Sequence, residues 1–475
     1  MGKPRLFGLA FAPFLFGMVA ATCAHAQGFT NLVNFNRTNG AGPNMALVQG
    51  TDGNFYGTTY DGGAKNAGTI FRMTASGELT TLYSFCTQTN CPDGSFLYSG
   101  LVQGTDGNYY GTTVAGGANG EGTVYKITPG GVFTRLHSFN STDGAQPWAG
   151  LTQGTDGRFY GTTSWGGAYN NGTIFRITPE GILTTLYSFC AVYLCPDGST
   201  PFGGLVQGAD GNFYGTTTRG GVSESCSGCG TVFEIAPSGK LATLHSFTSI
   251  DGSDPLAGLI QAADGNFYGN TNGGGTNGSG TVFRITPEGD LTVLCSIGLD
   301  GAFGGPYGEL VQAANGDLYG TTFFGGTDKS CYPYGCGSIF KVTLAGALTT
   351  VHSDYGFDGA YPRAGLLQAT SGALYGTNSD GGIGGYGTVF SLDLGLPPFI
   401  VTQPGSGKVG TFVIILGNNL TGTTRVTFSG IAATFTVVSD SEITTTVPTH
   451  AATGQVQVVT PGGTLRSKVD FRVSP

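Results

Sequence analysis

Charge is scarce in this chain. Only 10% of its 475 residues are Asp, Glu, Lys or Arg, and the formal net charge is −9. No basic cluster interrupts that acidic balance, which argues against nucleic acid or an anionic membrane surface as a partner. Past the first 26 residues, no apolar run is long enough to cross a bilayer as a helix. G-x-S-x-G, H-E-x-x-H and P-loop patterns are all missing, so the commonest hydrolase, zinc-protease and nucleotide-binding signatures drop out. No cofactor is implied.

What the chain does have is glycine, 86 residues of it, recurring at fixed offsets as turn punctuation. One sentence, roughly "GLVQGTDGNFYGTT…GG…GTVFRITPEGxLTTLYSF", is written seven times. Its leucine anchors are Leu47, Leu101, Leu151, Leu205, Leu259, Leu310 and Leu366, 50 to 56 residues apart. Such periods indicate a solenoid or a propeller. The seventh copy ends at Val389-Phe390-Ser391-Leu392 without its "LTTLYSF", whereas a lone "FTNLVNF" (Phe29 to Phe35) precedes the first anchor. That exchange suits a closed ring, in which the N-terminal strand completes the last blade. Each complete copy offers four β segments, strands a ("GLVQ"), b ("NFYGTT"), c ("GTVFRIT") and d ("LTTLYSF"), with Asp-Gly hairpin signals between a and b in the first five. The sequence therefore predicts an all-β protein: a seven-bladed β-propeller closed by an N-terminal strand.

The termini carry different messages. Lys3, Arg5, the apolar run from Leu6 to Ala21 and Ala24-His25-Ala26 read as a signal peptide over 1–26. Its removal would take two positive charges and leave −11 from −9. The expected location is then secreted, extracellular or at the cell surface, or else periplasmic. Four close cysteine pairs fit an exported chain: Cys86-Cys91, Cys190-Cys195, Cys226-Cys229 and Cys331-Cys336, read as loop disulfides. A four-Cys zinc centre from Cys190, Cys195, Cys226 and Cys229 is the alternative, but no metal is the preferred reading. Cys295 replaces a strand-d Tyr or His and is expected as a buried thiol. His137, His245 and His352 share that strand-d position and read as packing residues.

Length variation is confined to the b–c and d–a loops, which emerge on one face of an antiparallel blade array. Loops on a rigid scaffold are where binding usually resides. Three residues before each anchor leucine, at the mouth of the central channel, stand Asn44, Tyr98, Trp148, Phe202, Leu256, Tyr307 and Arg363. The b–c loops add Asp61, Trp165, Arg219, Phe324 and Asp380. The candidate ligand-binding set is Tyr98, Trp148, Trp165, Phe202, Arg219, Tyr307, Phe324 and Arg363, aromatics beside a few polar groups that would suit sugar rings. The competing reading packs those aromatics between blades. The strand-a glutamines, Gln49 to Gln368, read as a structural hydrogen-bond belt. No catalytic residue is assigned.

After Gly395-Leu396-Pro397-Pro398 the period vanishes. Gly407-Lys408-Val409-Gly410, Ile415 to Leu420, Val426-Thr427-Phe428, Ala432 to Phe435, Val447-Pro448 and Thr460 to Gly463 closely resemble the IPT/TIG family. That resemblance implies an immunoglobulin-like β-sandwich of the kind appended to extracellular proteins. The recurrent "GLVQGTDGNFYGTT" and "GGTVF" stretches, such as Gly100 to Thr113, resemble the choice-of-anchor tandem repeat GloVer family over about 29–395. This second resemblance implies export and no particular activity. The expected organisation is a signal peptide at 1–26, a propeller at 27–395, a linker at 396–398 and an IPT/TIG domain at 399–475. The expected function is a monomeric, non-enzymatic binding or adhesion scaffold for a glycan or protein. The alternatives are an extracellular carbohydrate-active lyase or hydrolase using the same mouth, and a spacer without a specific ligand.

Overall fold

The computed structural model describes residues 28–223, 226, 228–298, 305–328, 330–331 and 333–474, so the expected leader at 1–26 lies outside the described residues. All described regular structure is β. Repeated four-stranded antiparallel sheets form a propeller-like array. Each complete copy contributes one sheet in the order a-b-c-d, as in Val48–Gln49, Phe55–Thr59, Thr69–Met73 and Leu79–Ser84. Strand a is only two residues long, because the leucine before it turns away from the ladder into the core. In the last sheet, Gly28–Asn34 pairs antiparallel with Thr388–Asp393, beyond Leu374–Asn378 and Leu367–Gln368.

Local chemistry explains each hairpin. Asp52 closes the a–b turn by accepting from the Asn54 amide at 3.1 Å and from the Tyr56 hydroxyl at 2.8 Å. The same Asp–Tyr bond recurs at Asp106–Tyr110, Asp156–Tyr160, Asp210–Tyr214 and Asp264–Tyr268. In strand b, Gly57 stands where the Phe71 ring crosses; a Cβ there would lie 2.5 Å from Phe71 Cζ. Only glycine lets strand c bury its aromatic against the middle of strand b.

Neighbouring sheets are joined through strand b. The tyrosine of one copy stacks on the first aromatic of the next: Tyr56 on Tyr109, Tyr110 on Phe159, Tyr160 on Phe213 and Tyr214 on Phe267, with ring centroids 3.9–4.0 Å apart. Phe55 of the first copy stacks on Tyr375 of the last at 4.1 Å. These rings are buried, so each pair adds about 0.5–1.5 kcal/mol to the area it hides. Toward the channel, six of the seven strand-a glutamines accept from an adjacent turn, as Gln153 Oε1 does from the Thr105 amide at 3.0 Å. Gln49 accepts likewise from the Thr370 amide at 3.0 Å.

The C-terminal region is a sandwich of two four-stranded sheets. Val401–Gln403, Phe412–Leu416, Glu442–Thr446 and Phe435–Val437 form one; Ile431–Ala433, Arg425–Phe428, Val456–Thr460 and Gly463–Arg466 form the other. Alternating strand residues such as Val456 and Val458, with Val413, Ile415, Val426, Phe428 and Ile443, make its buried core.

All four expected cysteine pairs are bonded as disulfides. Cys190 and Cys195 pair with each other, as do Cys226 and Cys229, so they do not gather as a four-thiolate zinc centre. Cys295 is unpaired and half-buried rather than buried, and burial pushes its thiol up to about 11. It is a poor nucleophile at neutral pH.

Candidate binding site

The loops that vary in length are tied together in pairs. The d–a loop entering a copy bridges to that copy's b–c loop through isolated β-bridges: Ala41 with Asp61, Ala145 with Trp165, Ser199 with Arg219 and Ala360 with Asp380. These bridges hold the start of strand a in place and expose the residues just before it to the channel. One cavity, about 480 Å³, opens there. Equivalent positions from all seven copies line it: Asn44, Tyr98, Trp148, Phe202, Leu256, Tyr307 and Arg363.

The aromatic members touch one another in an arc. Tyr98 and Trp148 have ring centroids 4.4 Å apart, and Trp148 and Phe202 5.3 Å. Arg363 closes the gap from the other side. Its guanidinium lies 4.5 Å from the Phe323 ring centre and 5.8 Å from that of Tyr307, and it donates to the Tyr98 hydroxyl at 3.4 Å. Stacking against aromatic faces fixes the arginine with little loss of hydration. The side chains are half-buried, as wall residues of a cavity are.

Five of the eight candidate residues therefore share the cavity: Tyr98, Trp148, Phe202, Tyr307 and Arg363. Trp165, Arg219 and Phe324 do not line it, which corrects the single-mouth expectation. The loop bridge commits the backbone of Trp165 and Arg219 to the d–a loop, and both side chains are exposed. Trp165 is 42% exposed. Phe324 packs instead against Phe323, Tyr334 and Tyr361. On the same face, the Cys190–Cys195 loop lifts Val192, Tyr193 and Leu194 into solvent.

Glu309 is the site residue that sequence reasoning missed. It stands directly before anchor Leu310, where the other copies have Ala46, Gly100, Gly150, Gly204, Gly258 and Gly365. A Cβ on Gly258 would sit 2.5 Å from Glu309 Oε1, so the glycine beside it makes room for the carboxylate. The side chain is accessible to water yet deep in the protein, because it faces the cavity rather than the outside. Burial pushes its carboxyl above the ordinary glutamate range, and hydrogen bonding to the Gly258 backbone opposes that rise. Alignment of the seven copies carries the signal: one acid in a row of Gly and Ala. Among the described residues, Glu309 is also the only Asp or Glu lining the cavity.

The other end of the channel is occupied by the sandwich. Lys468 Nζ donates to the Gln312 carbonyl and to Gln368 Oε1, both at 3.2 Å. Arg472 reaches the Gly208 carbonyl at 3.0 Å and Gln261 Oε1 at 3.3 Å. Gln403 donates to the Gln103 carbonyl at 2.6 Å, and Ser441 Oγ to the Thr51 carbonyl at 3.1 Å. The repeat side supplies acceptors and the sandwich supplies donors. Burial pushes the Lys468 ammonium down to about 8. Its charge is also offset by the Phe399 ring, 4.2 Å away.

A propeller-like repeat array with an open, copy-variable cavity and a docked β-sandwich is thus the class of protein defined by fold and site. The Gloeobacter/Verrucomicrobia repeat model matches residues 14–154 and 98–304, and the IPT/TIG domain model matches 400–473. The chain belongs to the Gloeobacter/Verrucomicrobia repeat family and carries a C-terminal IPT/TIG domain. The sequence has no match among curated proteins. Among solved structures it is similar to a putative 6-phosphogluconolactonase from Bacteroides fragilis, at 19% identity and a TM-score of 0.43, covering 66% of this chain and 84% of that one. It is also similar to a putative gluconolactonase, at 11% identity and a TM-score of 0.39, covering 79% and 94%. Similarity of this order does not carry an active site from one protein to another.

Proposed function

We propose that this protein is an exported, non-enzymatic binding scaffold whose ligand, a glycan, enters the cavity at the variable face. The observation that carries the reading is the arc of Tyr98, Trp148 and Phe202 beside Arg363 and Glu309 in one open cavity. Aromatic faces take the C–H faces of sugars, while the two charged groups bond to hydroxyls. The scaffold is a seven-bladed propeller, 27–395, closed by its N-terminal strand; the Phe55–Tyr375 stack and the Thr370–Gln49 bond support that closure. A linker at 396–398 leads to the sandwich at 399–475, which seals the opposite end. Cleavage after Ala26 and export of a monomer accord with the four disulfides.

The carbohydrate-active enzyme is the weaker reading. Hydrolysis of glycosides ordinarily needs two carboxyl groups, and among the described residues the cavity wall supplies Glu309 alone. A glycan array probed with the purified protein, followed by calorimetric titration of the hits, tests the proposal. Tyr98→Ala with Trp148→Ala should weaken binding at least tenfold, about 1.4 kcal/mol. Unchanged affinity in that double variant would remove the cavity as the site, and turnover of a hit would replace the scaffold by an enzyme.

A further inference from the structure

The end of strand d is a phenylalanine socket. Phe85, Phe139, Phe189 and Phe247 fill it in four copies, Ile297 in a fifth, and Phe35 in the composite last sheet. All are buried. In the sixth copy the residue is Asp354, which is 0% exposed; the Asn378 side chain lies near it, but neither carboxylate oxygen makes a hydrogen bond of ordinary geometry. An ionised carboxylate in an apolar socket costs far more than it returns unless something of opposite charge meets it.

Beside it stand two further groups able to ligate a metal. His352 Nε2 lies 3.7 Å from Asp354 Oδ1 and 3.7 Å from Asp358 Oδ2, too far to hydrogen-bond either. The corresponding bonds elsewhere are short: His137 to Asp143 at 2.9 Å and His245 to Asp251 at 3.0 Å. In the sixth copy the imidazole has withdrawn from its loop aspartate and stands between two carboxylates. One ligand atom from each of the three residues lies within 4.8 Å of the others. Donors about 2.0 Å from a tetrahedral zinc ion stand roughly 3.3 Å apart, so a small inward movement completes the fit.

The supports are already in place. The His352 ring is stacked on Phe29 at 4.0 Å with 6° between planes, and Asp358 Oδ1 accepts from the Tyr355 amide at 2.7 Å, which leaves Oδ2 for the cluster. Asn378, which adjoins Asp354 and replaces the strand-b threonine of the other copies, has a buried Oδ1 without a partner.

We infer that His352, Asp354 and Asp358 bind one divalent transition-metal ion of the zinc class. Two carboxylates neutralise its charge, and a nitrogen with few oxygens disfavours Ca²⁺, which takes six to eight oxygens. Asp354 anchors the ion from the buried side while His352 and Asp358 are partly exposed, so the fourth position is left to water and the ion acts as a structural clasp. It joins the sixth sheet to the last one, where Thr388 Oγ1 donates to the Asp358 carbonyl at 3.0 Å and the N-terminal strand is held.

The test uses untagged, folded protein stripped with EDTA and freed of chelator, titrated with Zn²⁺ by calorimetry, with metal content measured on the dialysed product. One equivalent should bind, and EDTA should lower the melting temperature of the wild type by several degrees. Asp354→Phe restores the residue of the other copies; it should fold, bind no zinc and melt at the same temperature with or without EDTA. His352→Tyr, which installs the residue found at Tyr83 and Tyr187, should likewise lose the ion while remaining folded. Absence of zinc binding in the wild type, equal binding in Asp354→Phe, or saturation by Ca²⁺ where Zn²⁺ fails would each overturn the assignment.

Discussion

The two ends of the channel are built from the same seven strands and could hardly differ more. At the mouth, the position three residues before each anchor holds Asn, Tyr, Trp, Phe, Leu, Tyr and Arg in turn. Two residues beyond the anchor, all seven copies hold Gln, and the sandwich sits on that belt through Lys468, Arg472, Gln403 and Ser441. Uniformity at one end serves symmetry: one hydrogen-bond pattern, repeated, stitches neighbouring turns and presents carbonyl oxygens to a cationic plug. Variety at the other end is free to differ because those side chains face a cavity, where neighbouring sheets ask little of them. The same scaffold is thus held together by repetition and varied by its exceptions.

The comparison breaks most severely if the seams between sheets are cut. Tyr160→Ala removes a buried ring stacked on Phe213 and a hydroxyl bonded to Asp156. A loss of about 3–5 kcal/mol is expected from the urea midpoint; a loss below about 1 kcal/mol would mean the stacks do not hold the array.

At the plugged end, Lys468 titrates near 8 when folded and near 10.4 when unfolded. The folded state binds fewer protons between those values, so stability must rise with pH across that window. The rise is on the order of 2–3 kcal/mol. Urea titrations at pH 7.5 and 9.5 should show it in the wild type and not in Lys468→Met. An equal rise in both would place the cause elsewhere.

At the mouth, Trp148→Ala alone should cost roughly 1–2 kcal/mol of stability, since its ring is half-buried, while weakening a cavity-bound glycan tenfold or more. Parallel calorimetry and melting curves separate the two effects. A variant that melts early and binds normally would make the ring a packing residue.

Glu309 gives an effect of the opposite sign to Lys468. Its carboxyl is raised in the folded protein, so stability is full below the ordinary glutamate value, about 4.3, and declines as pH rises above it. Glu309→Gln should flatten that decline between pH 4 and 7. Least of all, Tyr193→Ser on the exposed disulfide loop should change stability by less than about 0.5 kcal/mol.

Much of this was legible in the residues. Asp52-Gly53 and its equivalents announced the turns, and the strand-b "FYGTT" and strand-c "TVFRI" runs fell on observed strands because turn chemistry and β-branching act locally. Cysteines three to five residues apart could scarcely find other partners. The tail's marks placed a sandwich because inward alternation, as in Val456 and Val458, is also local. Trp165 and Arg219 were misplaced for the converse reason: loop residues next to each other in register need not share a cavity, and these two side chains are exposed. Glu309 was visible only by reading the copies against one another.

The sequence by itself determined the repeat, the strands of each copy and the family, all set by contacts a few residues apart or by identity between copies. The tertiary structure alone decided that Lys468 meets Gln312 and Gln368, 156 and 100 residues away, and that Asp354 is sealed in a phenylalanine socket beside His352 and Asp358. Neither follows from periodicity. Docking and burial depend on which surfaces meet after the sheets have formed, and a repeat pattern records what its copies share rather than what lies between them.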